Sequence, residues 1–330
     1  MTTVAILSPG FPHVPGGVTD HTARLVARWR TRDLAVHVAD LSRPDLALAA
    51  HALLIQYVPF LYGRRGLSAE LEALVEEAGR REMRVTLFVH EPWVPPTRLP
   101  WLVLSPLQRR QLGRLAHAAD AVVTPVPEWQ ALLPRSSTLL YVGSTLGTPD
   151  PALPTEPALP APVVFSPFAA GLDWRWVAAA ERAIGAGLVV VGGTLDEARS
   201  RLRRLPARAS DWTWMPRAEP DAVLGTLARA RLALAPYVDG LTGRRTAALA
   251  CLSVGTPVVT SRGPLFDPVF EEPATLPASS RTSFAEGARQ LWATASDDDD
   301  RAKRRAWFAQ HFDPAMLDDR LLDVCLGQAS

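Results

Sequence analysis

The chain has 330 residues, which is long enough for two α/β domains of about 150 residues each. Hydrophobic residues make up 48% of it and charged residues 21%, so it can bury extensive cores and disorder is not expected. With 35 basic and 34 acidic side chains, the net charge is only +1. Bulk charge therefore does not favour binding to nucleic acid or to an anionic membrane.

The cysteine and lysine counts exclude several kinds of site. Cys251 and Cys325 cannot supply a disulfide framework or a cysteine-rich zinc site, and we expect both to be buried. Lys303 is the only lysine, which excludes a P-loop lysine and makes Schiff-base chemistry implausible. Any phosphate must therefore be bound by arginine, backbone N–H groups or helix N-termini.

No apolar run approaches the ~20 residues that span a bilayer. The N-terminus resembles a strand more than a signal peptide, because it lacks a basic start and a small-residue cleavage site. We therefore expect a cytoplasmic protein without a transmembrane segment.

Apolar β-rich segments alternate with amphipathic ones from the N-terminus onwards. This pattern predicts strands at residues 4–7, 35–39, 53–57, 85–89 and 121–124, and helices at 20–29, 68–81 and 108–118. Near-continuous apolar strands separated by helices are typical of a parallel sheet that is covered on both faces.

The alternating pattern stops at residues 147–162, which contain six prolines and predict an extended linker. The alternation then resumes, with strands predicted at 163–166, 188–191, 232–236 and 257–260 and helices at 174–184, 195–204, 221–230 and 244–254. One or two further helices, broken at Pro314, are predicted over 300–325.

The expected architecture is two doubly wound Rossmann-like domains, residues 1–146 and 163–330, facing each other across a cleft. Ligands of open α/β sheets bind outside the carboxyl ends of the strands. The informative residues should therefore come directly after strands.

A glycine pair, Gly16 and Gly17, connects the first strand to the first helix. Glycines allow close approach of the backbone to a ligand, and the N–H groups that open a helix attract anions. The dinucleotide fingerprint G-x-G-x-x-G is absent. A plain strand–turn–helix connection with Thr19 as N-cap is the alternative.

Polar and aromatic side chains follow two strands of the first domain. Gln56 and Tyr57 end one strand, while His90, Glu91 and Trp93 end or follow another. An imidazole at this edge can orient or deprotonate a hydroxyl of a ligand. Structural roles for the histidine and core packing for the tryptophans are the alternatives. The zinc motif H-E-x-x-H is absent.

Adjacent arginines, Arg244 and Arg245, open a predicted helix after a glycine-containing loop. Cations at a helix N-terminus oppose the helix dipole, so an anion is expected to compensate them, and a diphosphate fits. A solvated basic pair at a turn is the alternative. The candidate donor-binding residues of this loop are Tyr237, Asp239, Gly240, Thr242, Gly243, Arg244, Arg245 and Thr246.

Taken in order, these segments resemble the GT-B glycosyltransferases of the family-4 type. The P-x-x-P-G-G-V loop at residues 12–18 resembles their N-terminal glycine loop, and the segments at Gln56 and His90 resemble those after their third and fourth strands. Residues 237–259, ending in G-T-P-V-V, resemble their donor-binding unit.

The resemblance implies a hexosyltransferase-type enzyme (EC 2.4) that moves a sugar from a nucleotide-diphosphate sugar to an acceptor hydroxyl, with retention of anomeric configuration and without a cofactor. It implies that Gly16 and Gly17 approach the donor diphosphate or the acceptor edge, and that the loop 239–245 holds the donor. His90, Glu91 and Arg244 are the catalytic candidates, and His21, Gln56, Tyr57 and Trp93 are the acceptor-side candidates. No Asp-x-Asp pair follows a strand, so transfer is expected to be metal-independent.

The sequence also departs from the family pattern. Thr242 and Ala250 stand where the family commonly carries two glutamates, and residues 166–171 lack the usual Arg and Lys. These departures keep open a catalytically silent GT-B-like binding or scaffolding protein. A GT-B epimerase or phosphorylase is a third alternative, although Lys303 is badly placed to hold pyridoxal phosphate. No motif specifies the nucleotide, sugar, acceptor or oligomeric state.

Overall fold

The computed structural model describes the whole chain except residues 1, 15, 134, 151, 152, 154, 155, 157, 167, 170, 203, 204, 272–274, 295–297, 329 and 330. The chain forms two compact units. The first comprises Met1–Thr145 and Pro314–Ser330, and the second comprises Leu146–Asp313. Five residues of the predicted linker lie outside the described residues.

The first unit is built on a six-stranded parallel sheet in the order β2-β1-β3-β4-β5-β6. Its strands are β1 (Thr3–Leu7), β2 (Ala35–Ala39), β3 (Ala52–Tyr57), β4 (Arg84–Val89), β5 (Ala121–Thr124) and β6 (Thr138–Leu139). Its helices are α1 (Gly17–Arg30), α2 (Pro44–Ala47), α3 (Ala69–Arg80), α4 (Leu99–Ala118), α5 (Pro127–Gln130) and, from the end of the chain, α12 (Pro314–Leu326).

The residues of β1 contribute alternately to two hydrophobic cores, one on each face of this sheet. Ala5 and Leu7 lie in a cluster with apolar residues of α3 and α4, whereas Val4 and Ile6 lie in a cluster with α1 and α12. Successive strand side chains point to opposite faces, so a strand covered on both sides must be apolar throughout. All six residues of β3 are buried.

The last helix, α12, corrects the predicted domain 163–330. Its apolar face packs against α1 on the first sheet, and it carries Asp318, which accepts hydrogen bonds from Arg24 Nε at 2.9 Å and Nη2 at 2.7 Å. Trp29 Nε1 donates to the Asp318 carbonyl oxygen at 3.0 Å. Burial of an apolar helix face and satisfaction of these polar groups therefore place residues 314–330 in the first unit.

The second unit has its own six-stranded parallel sheet, in the order β12-β11-β10-β7-β8-β9. Its strands are β7 (Val163–Phe165), β8 (Val189–Val191), β9 (Thr213–Met215), β10 (Ala233–Ala235), β11 (Val258–Ser261) and β12 (Thr275–Ala278). Its helices are α6 (Trp174–Ile184), α7 (Leu195–Arg201), α8 (Pro220–Ala228), α9 (Thr246–Ser253), α10 (Arg281–Ala293) and α11 (Asp298–Phe312).

The predicted pair of Rossmann-like α/β domains is confirmed, as is the helix break at Pro314. Both cysteines are buried, as expected. Asp298, Asp299 and Asp300 form the first turn of α11, and Asp297, which precedes them, lies outside the described residues. Among the helices that are described, none combines the length and apolar character that crossing a membrane requires. The cytoplasmic location stays a prediction.

Candidate functional site

In the first unit, the polar candidates lie at the carboxyl ends of three neighbouring strands. The sheet order changes direction at β1, with β2 on one side and β3 on the other. Such a change of direction creates the crevice in which open α/β sheets bind ligands. The segments after β1, β3 and β4 therefore meet at this edge.

The glycine pair begins α1. Gly16 is the N-cap, and the helix starts at Gly17, so the predicted N-cap at Thr19 is wrong. Thr19 Oγ1 instead donates to the Val14 carbonyl oxygen at 2.6 Å. A Cβ added at Gly16 or Gly17 would meet no atom within 4 Å, and neither has a left-handed φ. Within the described chain, glycine is required here neither by crowding nor by a left-handed backbone. The absence of a side chain leaves room for a ligand to approach the backbone closely.

Gly17→Ala tests this interpretation. We expect unchanged or slightly higher thermal stability, because alanine favours a helix over glycine by about 1 kcal/mol. If a ligand approaches the backbone here, transfer should fall about tenfold, the equivalent of about 1.4 kcal/mol. Gly79→Ala, at an equally uncrowded position in α3, is the matched control for helix propensity. Equal activity of the two variants would contradict a ligand-binding role for Gly17.

Two buried histidines and a glutamine form a cluster beside this loop. His90 Nε2 is hydrogen-bonded to Gln56 Oε1, and the His21 and His90 rings lie edge-to-face with centroids 5.4 Å apart. Phe88 stacks on His90 at 4.5 Å. His21 Nδ1 is buried and has no hydrogen-bond partner among the described residues.

The electrostatics of the cluster favour a neutral His21 imidazole. Burial, with smaller contributions from Arg24 and His90, holds the pKa of His21 well below its ordinary value of 6.5. An amide oxygen only accepts hydrogen bonds, so the contact with Gln56 places the proton of a neutral His90 on Nε2. In that tautomer Nδ1 is the ring nitrogen that carries the lone pair.

Three residues that the sequence did not single out support this cluster. Thr22 Oγ1 donates to Ser8 Oγ at 3.0 Å, and Tyr62 donates its hydroxyl to the carbonyl oxygens of Leu7 at 3.1 Å and Gln56 at 3.0 Å. These bonds join the ends of β1 and β3 to α1 and to the loop after β3. Ser8 directly follows a strand, so the strand-end rule could have found it.

The remaining acceptor-side candidates have packing roles in this structure. Tyr57 is 1% exposed and stacks on Tyr62 with centroids 6.2 Å apart. Trp93 packs against the hydrophobic core, and the Arg109 guanidinium covers its ring at 5.1 Å. The backbone N–H groups of His90 and Glu91 both donate to the Tyr57 carbonyl oxygen, at 3.0 and 3.4 Å. The structure therefore brings His21, Gln56 and His90 together, whereas Tyr57 lies in the hydrophobic core and Trp93 packs against it.

The second unit places the donor candidates at its own change of strand order. β7 lies between β10 and β8, and the loops after β7 and β10 are tied together. Val238 N donates to the Gly171 carbonyl oxygen at 2.8 Å, and Leu172 bridges Tyr237. A Cβ on Gly171 would lie 3.3 Å from Arg245 Nη2. The candidate loop after β10 thus lies directly against the loop after β7.

Asp239 binds both arginines at this point. One carboxylate oxygen accepts from Arg244 Nη2 and the other from Arg245 Nη2. Arg245 is 8% exposed and stacks over the Tyr237 ring at 4.4 Å, and burial raises the pKa of Tyr237 to about 12. The sequence predicts an anion that compensates the two arginines at the start of this helix. In this structure that anion is the carboxylate of Asp239. The alternative of a solvated basic pair is wrong.

Glycine is required in the loop that presents this cluster. Gly240 has φ +93°, and a Cβ on it would lie 2.8 Å from Phe266 N. Leu265 N donates to the Asp239 carbonyl oxygen at 2.8 Å, and Ser261 Oγ donates to that of Tyr237. The loop is therefore clamped against residues 261–266, and Asp239 is presented from a rigid backbone.

Comparisons with solved structures identify the architecture. Sucrose-phosphate synthase from Thermosynechococcus elongatus superposes with a TM-score of 0.72 at 13% identity, covering 98% of each chain. AviGT4, a glycosyltransferase involved in avilamycin A biosynthesis, gives 0.59 at 14% identity, covering 100% of this chain and 99% of that one. The chain has a GT-B fold.

A third GT-B structure, an α-glucosyltransferase in complex with UDP, gives a TM-score of 0.61 at 11% identity and covers 98% of this chain and 99% of that chain. No protein-family model and no curated protein matches the sequence. At these identities the comparisons establish a shared GT-B fold.

The two positions at which the family commonly carries glutamate differ in their surroundings. Thr242 is fully buried, and its hydroxyl has no hydrogen-bond partner among the described residues. Ala250 is also fully buried, within a helix whose residues from Ala247 to Ser253 are all buried. Arginine at 244 and 245 is therefore the charged part of this loop, together with Asp239.

Proposed function

We propose that the chain is a glycosyltransferase that moves a hexose from a nucleotide-diphosphate sugar to an acceptor hydroxyl. The observation that carries the proposal is the pair of guanidinium groups, Arg244 and Arg245, at the change of strand order in the second sheet. The GT-B fold and a structural neighbour in complex with UDP support it.

The charge of the arginine cluster suits a diphosphate leaving group. Two guanidinium groups and one carboxylate leave a net charge of about +1 beside the start of α9, where the first backbone N–H groups have no partner within the helix. Sugar transfer needs negative charge stabilised as the nucleoside diphosphate departs, and preorganised cations do this without reorganisation. Asp239 holds the guanidinium groups in place before the donor arrives.

The two arginines have different parts in this proposal. The Arg245 side chain is 8% exposed and stacks on Tyr237, so it positions the loop. The Arg244 side chain is 16% exposed, and we assign to it the contact with the leaving phosphate. Because arginine carries the charge, transfer is expected to proceed without a metal ion.

In the first unit, His90 is assigned to the acceptor. Its imidazole lies after β4, hydrogen-bonded to Gln56 and beside His21, where it would orient or deprotonate a hydroxyl. Retention of the anomeric configuration stays a prediction, to be checked by NMR of the first-formed product.

Calorimetric titration with UDP and GDP in the presence of EDTA tests donor binding. We expect at least one nucleotide to bind with a dissociation constant below about 1 mM, corresponding to about −4 kcal/mol. Binding that is lost when the metal is chelated would contradict the metal-independent assignment. Arg199→Ala, which removes an exposed arginine paired with Asp196, is the matched control for nonspecific charge.

A catalytically silent GT-B-like binding or scaffolding protein is the second candidate. It is favoured by the engagement of both arginines with Asp239 and by the buried Ala250 at the second glutamate position. The same titration distinguishes the two candidates. Absence of binding by either nucleotide at millimolar concentration would support the silent protein and overturn the transferase.

A further inference from the structure

The first two turns of α4 expose an apolar surface. The core-facing side of this helix is formed by residues such as Ser105, Gln108 and Leu112. On the opposite side, four large apolar side chains are exposed, and Leu99 and Val103 reach 82% and 68%. The apolar residues of this surface are Leu99, Leu102, Val103 and Leu107 on the helix and Phe60 on the 3₁₀ turn Pro59–Leu61. Contiguous exposed apolar surface on a folded protein marks an interaction site.

Arginines surround this apolar surface. Arg98 precedes the helix, and Arg109 and Arg110 follow the apolar turns on its exposed side. The loop that carries Arg64 and Arg65 lies alongside, because Gln108 Nε2 donates to the Arg65 carbonyl oxygen at 2.9 Å. All five side chains are exposed. We call these five arginines and the five apolar residues the α4 patch.

No acidic residue interrupts the α4 patch. The sequence has no Asp or Glu at residues 51–69 or 92–119, which include every residue of the patch. Within the described residues, no carboxylate forms an ion pair with any of the five arginines. The local field is therefore positive, even though the net charge of the chain is only +1. Charges beyond about 10 Å are largely screened, so the local field is the relevant one.

We propose that the α4 patch docks the protein onto the surface of a bilayer that contains anionic lipids. Exposed Leu, Val and Phe would enter the boundary between headgroups and acyl chains, while the arginines would bind the headgroup phosphates. Trp101, whose ring lies 4.8 Å from the Arg98 guanidinium, adds an amphipathic group of the kind enriched at membrane interfaces.

A membrane surface fits this patch better than a protein partner of mixed charge. All charged side chains of the patch are positive, and its apolar side chains project from the exposed side of α4. Such a surface lies in the interface and does not cross it, since the apolar part spans only the first half of α4. The proposal does not depend on the proposed glycosyl transfer.

Vesicle flotation of the full chain tests the proposal. With vesicles of phosphatidylcholine and phosphatidylglycerol in equal parts, we expect the protein to float at low ionic strength. Flotation should weaken with pure phosphatidylcholine and in about 1 M NaCl, where the Debye length is near 3 Å. Leu102→Gln combined with Val103→Gln should lower the partition coefficient at least about tenfold. Arg109→Gln combined with Arg110→Gln should lower it about 10- to 30-fold.

Matched variants elsewhere control for exposure and charge. Leu132→Gln removes an exposed leucine outside the patch, and Arg217→Gln combined with Arg320→Gln removes two exposed arginines. Both controls should float like the wild type, and all variants should keep its circular dichroism and melting temperature. Wild type that stays in solution, or patch variants that float as well as the controls, would overturn the proposal. A protein that binds no vesicles but forms a concentration-dependent dimer, which the Leu102 and Val103 changes abolish, would also overturn the proposal.

Discussion

Replacement of Arg244 by alanine is expected to lower the rate of sugar transfer about 10²-fold, the scale on which one preorganised charge contact acts. The change removes one of the two guanidinium groups that Asp239 holds, so the cluster falls from a net charge of about +1 to neutral. Under the proposed assignment, the leaving diphosphate then loses the cation that contacts it. The loss should appear in turnover more than in binding, because the negative charge grows as the bond breaks.

Two variants separate this effect from general loss of charge. Arg244→Lys keeps a cation but loses the planar fork, and should recover only part of the activity. Arg199→Ala removes an exposed arginine of α7 whose Nη1 pairs with Asp196 at 3.3 Å, and should change transfer less than about threefold. If Arg244→Ala retains full turnover, Arg244 has no part in the reaction.

Replacement of His90 by phenylalanine is expected to lower transfer by about 10²-fold or more, the range for loss of a positioned acid–base group. Phenylalanine preserves the stacking on Phe88, so the core of the first unit should stay folded. The imidazole is lost, and Gln56 loses its hydrogen bond to it. The measurement is transfer at saturating donor, with the melting temperature recorded alongside.

His117→Phe provides the control for His90. His117 is exposed on α4, where its Nδ1 contacts the Gly113 carbonyl oxygen at 2.7 Å, and it lies outside the His21–Gln56–His90 cluster. We expect its removal to leave transfer unchanged. Gln56→Leu should resemble His90→Phe in part, because it removes the group that sets the His90 tautomer. Full activity of His90→Phe would show that this imidazole is structural.

Central strands such as β3 could be predicted from the sequence within a residue or two. They are buried on both faces, so their apolar composition is continuous and unmistakable. Helix α4 was predicted to begin at residue 108 but begins at Leu99 and runs through Pro106. Its first turns do not face the core, so they lack the apolar period that predicts a helix. Edge strand β12 and helix α10 also escaped prediction.

The candidate site was predictable only in part, for a related reason. The strand-end rule identified Gln56, His90 and Asp239, because topology alone brings strand ends to one edge of a sheet. It could not show that Trp93 lies under Arg109 or that Tyr57 is enclosed by the core, since those contacts depend on neighbours distant in sequence.

By itself, the sequence determined two α/β domains, each with a parallel sheet, and excluded a P-loop lysine, because local periodicity and residue counts are written along the chain. Only the tertiary structure decided that α12 belongs to the first unit, through Asp318 and Arg24, which are 294 residues apart. It also decided that Asp239 neutralises part of the charge on Arg244 and Arg245. Ion pairs and packed helix faces depend on distances in space, and those distances exist only once the chain has folded.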